Sequence, residues 1–173
     1  MKVVCNSGPL IALSKVGRLE VLKKLFGGII ISEAVWKELV EKGKEKPGSK
    51  EVEKAEWIKA RKVLNRLSVR LLLKEVDVGE AETIILAKEL NADLVLMDDE
   101  VPREIAKSLE LNVAGTIAVL FEAWKRNILT QNPVEVALEM KARGVWLSDE
   151  LINKLREMVS SESRKYSKNT KPC

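Results

Sequence analysis

Four carboxylates and one amide stand at positions where the surrounding pattern calls for apolar side chains or a plain helix start. Asn6 follows the apolar run "KVVC" and precedes "GPLIAL", so it sits where a strand hands over to a helix. Asp98 and Asp99 close the run "LVLMDD" in the same way. Glu80 opens "GEAETIILA", projecting with Ile84 and Ala87 along the core side of a helix. Glu38, in "AVWKELV", falls at the edge of an apolar stripe, whereas Glu33 and Glu41 fall on a solvated face. Glu82 projects on the opposite side from Glu80, together with Glu89. Two plainer readings stay open at this point. Asp77-Val78-Gly79-Glu80 fits a capping box, and Asp99 can simply cap the following helix. Clustered carboxylates repel one another and persist chiefly when a cation neutralises them. A set of oxygen donors suits Mg²⁺ or Mn²⁺, ions that activate water and clamp phosphate oxygens.

The composition narrows the alternatives. The chain of 173 residues has no histidine, which excludes Ser-His-Asp and Cys-His mechanisms and the usual nitrogen ligands of zinc and copper. Its two cysteines, Cys5 and Cys173, make neither a disulfide framework nor a structural zinc site. A net charge of +4 favours a polyanionic partner weakly. No apolar run approaches a membrane span and no signal peptide is evident, so the expected location is cytoplasmic, with no membrane partner.

The elements that position these residues alternate. Strands are expected at 2–5, 27–32 and along "DLVLM", and a short one at "NVA". Helices are expected at 8–14, 18–26, after Ser32, along "DVGEAETIILAKELNA", along "PREIAKSLEL", and over three later segments. "KGKEKPGSK" is a loop, and the stretch after it reads as mostly helical but ambiguous around "WIKARKV". Such alternation implies one α/β domain, a central parallel sheet flanked by helices, over residues 1–159. The basic stretch 160–173 reads as a disordered tail. Its Arg164, Lys165, Lys168 and Lys171 suit phosphates and Tyr166 suits a base, although a solvated terminus without a role is the plainer reading. Arg103 lies one turn past the acids, within reach of a phosphate, but pairing with Asp99 or Glu104 is the simpler expectation.

Taken in order, "VVCNSGPLIAL", Glu38, Glu80 with Ala87, Asp98 and the closing "VAGT" resemble the PIN-domain family of metal-dependent nucleases, which includes the VapC-type toxins. The resemblance implies a three-layer fold and hydrolysis of RNA phosphodiesters. It assigns catalysis to Glu38, Glu80 and Asp98, and Mg²⁺ or Mn²⁺ binding to Asn6, Glu38, Glu80, Asp98 and Asp99. It places Ser7, Arg103 and Thr116 around metal, water or phosphate, with helix capping the alternative at Thr116. It also implies an antitoxin partner and a homodimer, to which Trp36, Trp57, Trp124 and Trp146 offer surface. The chain departs from the pattern at position 6, where Asn replaces Asp, and at position 80, where many members have Asp. A catalytically silent fold that binds RNA or protein is therefore the second reading. A dehydrogenase is not supported, since no G-x-G-x-x-G follows any strand.

Overall fold

The computed structural model describes the chain apart from Glu45 and residues 170–173, with side chains through residue 165. Two compact units divide it, Met1–Thr116 and a second beginning at Ile117.

The first unit is built on five parallel strands: β1 (Val3–Cys5), β2 (Ile29–Ser32), β3 (Ile58–Arg61), β4 (Leu94–Leu96) and β5 (Val113–Ala114). Their order is β3-β2-β1-β4-β5. The chain therefore grows outward from β1 in one direction, then returns to β1 and grows in the other. The crevice beside such a reversal, at the carboxyl ends of the strands, is where open α/β sheets bind ligands. β1 is wholly buried, which suits its apolar run in a parallel sheet covered on both faces.

Helices connect the strands: α1 (Ser7–Lys15), α2 (Glu20–Phe26), α3 (Glu33–Trp36), α4 (Ser49–Lys54), α5 (Arg66–Leu72), α6 (Val78–Leu90) and α7 (Glu100–Ser108). Ser32 caps α3 through its hydroxyl, which accepts from Val35 N at 3.1 Å. Instead of one helix running on from Ser32, α3 gives way after Trp36 to a π-helical turn, Lys37–Glu41, which carries Glu38. Such turns cluster at functional sites because the wider backbone re-aims the side chains that follow. β3 occupies the ambiguous "WIKARKV" stretch. It is an edge strand with only Ile58 buried, so its sequence shows no sustained alternation.

Helix α6 packs on β1, β2 and β4 and also meets α3, α5 and α7. Ala81 through Ala87 are all buried. The expectation that Glu82 lies away from Glu80 holds, but that side is not solvent. Glu82 is buried, pairs with Arg66 at 2.5 Å and accepts from Ala34 N at 2.9 Å. Glu89, one face with it, accepts from Leu64 N and Asn65 N.

The second unit holds most of α8 (Thr116–Lys125), α9 (Pro133–Ala142) and α10 (Asp149–Asn169). Ile152, Leu155 and Val159 form a buried stripe on α10 at helical spacing, and α9 packs against this helix. The stripe ends at Val159, as the composition suggests, but the helix does not. It continues to Asn169 because no glycine or proline interrupts residues 160–169, so the disordered tail expected from Ser160 is replaced by helix over those residues. Lys171 and Cys173, and the side chains of Tyr166 and Lys168, lie outside the described residues. Of the tryptophans, Trp146 is 87% exposed, while Trp36, Trp57 and Trp124 are partly buried. Among the described residues, no helix is long and apolar enough to cross a membrane.

The burial of Glu82 gives a direct test. Removing one partner from a buried, hydrogen-bonded charge strands the other groups. Glu82→Ala is expected to cost about 2–4 kcal/mol, read as a fall in Tm of about 5–10 °C for a chain this size. Glu89→Ala, which removes a partly exposed acceptor, is expected to cost less in the same melting experiment.

Candidate active site

The parallel sheet aligns the ends of three neighbouring strands. Cys5 of β1 lies opposite Leu96 of β4, and Asn6 N donates to Leu96 O at 2.9 Å. Leu96 of β4 lies opposite Ala114 of β5, and Met97 N donates to Ala114 O at 2.9 Å. The next residues along each strand are Asn6-Ser7, Asp98-Asp99 and Gly115-Thr116. All therefore emerge at one edge, beside the reversal of the sheet.

Asp98 is the most tightly held of the acids. Thr116 donates to it twice, from its backbone N to Oδ1 and from its hydroxyl to Oδ2, each at 2.7 Å. Thr116 is thus neither a bare helix cap nor a free hydroxyl: it fixes the carboxylate plane. Asp98 keeps a solvent-facing side, yet the atoms crowded around its carboxyl push its pKa up. The two Thr116 hydrogen bonds pull it down, the Asp99 charge pushes it up, and the Arg103 charge pulls it down.

Arg103 departs from its simpler expectation. Its Nη1 donates to Met97 O at 2.9 Å, and Glu104 pairs instead with Lys107 at 2.7 Å. A Cβ placed on Gly115 would lie 2.9 Å from both Arg103 Nη1 and Asp98 Oδ1, so those two groups flank a backbone that only glycine leaves open. Asp99 occupies the position before α7 without making a side-chain cap bond there. Capping therefore does not account for it.

Glu80 fulfils its plainer reading in full. Asp77 Oδ1 accepts from Glu80 N at 2.8 Å, and Glu80 Oε2 accepts from Asp77 N at 3.0 Å, a complete capping box. Oε1 stands outside that box. Burial raises the Glu80 pKa; the Asp77 backbone bond lowers it, and the charges of Asp77, Asp99 and Glu38 raise it again. Those last contributions place Glu80 in the electrostatic field of acids from the strand end and the π turn alike.

Glu38 approaches α6 at Gly79. A Cβ there would lie 3.3 Å from Glu38 Oε2 and 3.3 Å from Asp77 Oδ1, so glycine allows the π turn and the start of α6 to close up. Glu38 also lines two cavities, one of about 490 Å³ and one of about 230 Å³.

Asn6 is buried, and the Thr83 hydroxyl lies 3.5 Å from its Oδ1 while donating to Gly79 O at 2.7 Å. Ser7 opens α1, and a Cβ on the neighbouring Gly8 would lie 3.5 Å from Asp98 Oδ2. Cys5 is buried beside the same acid, and burial followed by the Asp98 charge raises its thiol pKa well above the usual value.

The structure thus gathers Asn6, Ser7, Asp98, Asp99, Arg103 and Thr116 at the strand ends, and sets Glu38 against Gly79, the residue before Glu80. Among the described residues, no three acidic or cysteine side chains are close enough to hold a metal ion as they stand. Mutual repulsion of like-charged carboxylates opposes their closer approach. The burial of Glu82 and its pairing with Arg66 escaped the sequence reading. Their signal was the uninterrupted "TIILA" after Glu82, which marks a helix without a wet face.

No curated protein and no solved structure matches the chain. A family model described as a PIN domain matches residues 2–161, nearly the whole of both units. With a five-stranded parallel sheet and acids at its carboxyl edge, the chain belongs to the PIN-domain family.

Proposed function

We propose that the protein is a Mg²⁺- or Mn²⁺-dependent ribonuclease that hydrolyses RNA phosphodiester bonds in the cytoplasm. The observation that carries this reading is the approach of Glu38 to the start of α6 beside Glu80, together with Asp98, held by Thr116, at the reversal of a PIN-family sheet. The donor set fits a hard divalent cation, being oxygen throughout. Asn6 Oδ1, Glu38, Glu80 Oε1, Asp98 and Asp99 would hold it. Such an ion supplies an activated water and a clamp on phosphate oxygens. Thr116 fixes Asp98 for that task, Asp77 fixes Glu80, and Arg103 adds a cation beside Asp98. The resemblance to VapC-type toxins extends the reading to a toxin restrained by an antitoxin.

A homodimer belongs to the same proposal. Leu67 and Leu71, exposed by 61% and 60%, lie at i and i+4 on α5, and Leu64, exposed by 80%, stands just before the helix. This is stronger support than the tryptophans, of which only Trp146 is widely exposed.

Asn6 favours the second reading, a silent fold that binds RNA or protein. An amide oxygen coordinates but does not neutralise. A unit charge at 4 Å from another is worth about 4 kcal/mol at an effective dielectric near 20. Even a third of that is about a tenfold change in affinity. Asn6→Asp is therefore expected to tighten Mn²⁺ binding at least about tenfold, read by calorimetry, and to raise metal-dependent RNA cleavage. Unchanged affinity and cleavage would reject the site, and no cleavage by either protein with Mg²⁺ or Mn²⁺ would leave the binding module.

The raised pKa values of Glu80 and Asp98 make a second test. Between the ordinary carboxylate range and the raised folded value, the folded state binds more protons than the unfolded one, so metal-free stability falls as pH rises through that window. Glu80→Gln keeps the capping-box oxygen but removes the charge. It is expected to raise the metal-free Tm at pH 7 modestly, by up to about 2–4 °C since the group is partly solvated. It should also flatten the dependence on pH and weaken stabilisation by Mn²⁺. A lower metal-free Tm at neutral pH would show that the carboxylate is not under repulsion.

A further inference from the structure

The larger cavity touched by Glu38 has a lining the acid cluster does not explain. Lys37 and Lys42 come from the π turn and its end, Lys62 follows β3, and Arg66 opens α5. Lys37, Lys42 and Lys62 are exposed, and among the described residues no ion pair engages them. Facing them are Glu33, Glu38, Asp77 and Glu82. Glu82 is engaged by Arg66 and by Ala34 N, while Glu38 and Asp77 belong to the acid edge around Glu80. Only Glu33 is left to set against Lys37, Lys42 and Lys62, so the rest of the lining carries an excess of positive charge, and its Glu38 and Gly79 also belong to the candidate active site.

Arg66 differs from the lysines. Its Nη1 is bound to the buried Glu82, yet its side chain is half exposed. A guanidinium has five N–H donors in a rigid fork, so a single anchored nitrogen fixes the group while others stay available for a phosphate oxygen. A flexible ammonium cannot be preset in this way.

We propose that Lys37, Lys42, Lys62 and Arg66 hold the backbone phosphates of a single-stranded RNA next to the scissile bond, with Arg66, anchored by Glu82, as the positioning residue. This deepens, and rests on, the ribonuclease reading above. The cavity, at about 490 Å³, is lined from the π turn, the residue after β3 and the start of α5, and a segment of one sugar–phosphate strand fits that volume. Its cations come from three chain segments, so several phosphates rather than one can be met.

The test is the salt dependence of RNA affinity, which counts phosphate contacts independently of cleavage. A fluorescein-labelled single-stranded oligoribonucleotide of about 12 nucleotides is titrated with the full chain by anisotropy, with Ca²⁺ and separately with EDTA, at several salt concentrations. The pocket variant combines Lys37→Gln, Lys42→Gln and Lys62→Gln. A control combines Lys23→Gln, Lys24→Gln and Lys50→Gln, none of which lines the cavity, and loses the same charge. Each single-strand phosphate contact contributes about 0.7 to the slope of log K against log salt, so the pocket variant is expected to lose about 2 from the slope. The control should lose much less. Arg66→Lys keeps its charge and so should keep the slope, while Kd rises several-fold. Thermal melting accompanies each variant.

A pocket variant whose slope matches the wild type, or falls no further than the control, overturns the proposal. Equal affinity of the wild type for a duplex of the same length overturns its single-strand part. The two readings fail separately. RNA cleavage with an unchanged slope removes the phosphate track and keeps the nuclease. A slope that falls as expected, in a protein that cleaves nothing, removes the nuclease and keeps the track.

Discussion

Helix α6 is covered by the sheet on one side and by α3, α5 and α7 on others, and this confinement governs the rest of the first unit. A polar group on such a helix must find a partner, because leaving one unsatisfied in the interior costs about 1–3 kcal/mol. Its acidic side chains do so by gripping groups outside the helix, and Thr83 does so within it. Thr83 turns its hydroxyl to Gly79 O, beside Asn6. Glu80 closes the cap with Asp77. Glu82 ties down the start of α3 and, through Arg66, the start of α5. Glu89 gathers the backbone between β3 and α5. The segments that carry Asn6, Glu38 and Arg66 are thus all registered on one helix. The positions of the site follow from the satisfaction of that helix.

The sheet provides the other half of the arrangement. Parallel strands all end at the same edge, so their exit residues are neighbours whatever the lengths of the connections between them. Asp98 and Thr116 are eighteen residues apart but meet because β4 and β5 are adjacent. Neither residue needs a long or flexible side chain to reach the other. That is why an Asp serves at position 98, while position 38, carried on a helical turn outside the sheet, has the longer Glu.

Much of this was legible in the sequence, and the exceptions share a cause. Buried strands and strongly marked helix starts announce themselves by their apolar runs and caps, as at "KVVC", Ser32 and Asp77. The strand-end acids are legible for the same reason, since a charge abutting an apolar run is conspicuous. β3 was not, because an edge strand with a single buried side chain has no alternation to read. The π turn was not either: its extra backbone residue leaves no mark in the pattern of side chains. Glu82 and Arg66 depend on a contact between segments far apart in sequence, which helical periodicity can place on a face but cannot pair. The end of α10 was misread because a polar, basic composition forecasts solvation, and solvation is compatible with helix.

Position 6 brings the two halves into conflict. It is buried at the centre of the sheet's edge, next to a thiol already under the influence of Asp98 and close to the first turns of α6. A carboxylate there would add a fifth strand-end or helix-edge charge to a site in which Glu80 and Asp98 are already pushed toward their neutral forms. Without a cation, that charge would be expensive, since burial and like charges act in the same direction. With one, it would be the strongest of the ligands, being the least able to swing away. Asparagine keeps the oxygen and the shape but removes both effects. The fold then does not depend on a bound ion to tolerate its own site, and the site attracts that ion less strongly. Stability of the empty site and affinity for a cation are set in opposition by one side chain, on the strand from which the whole sheet grows.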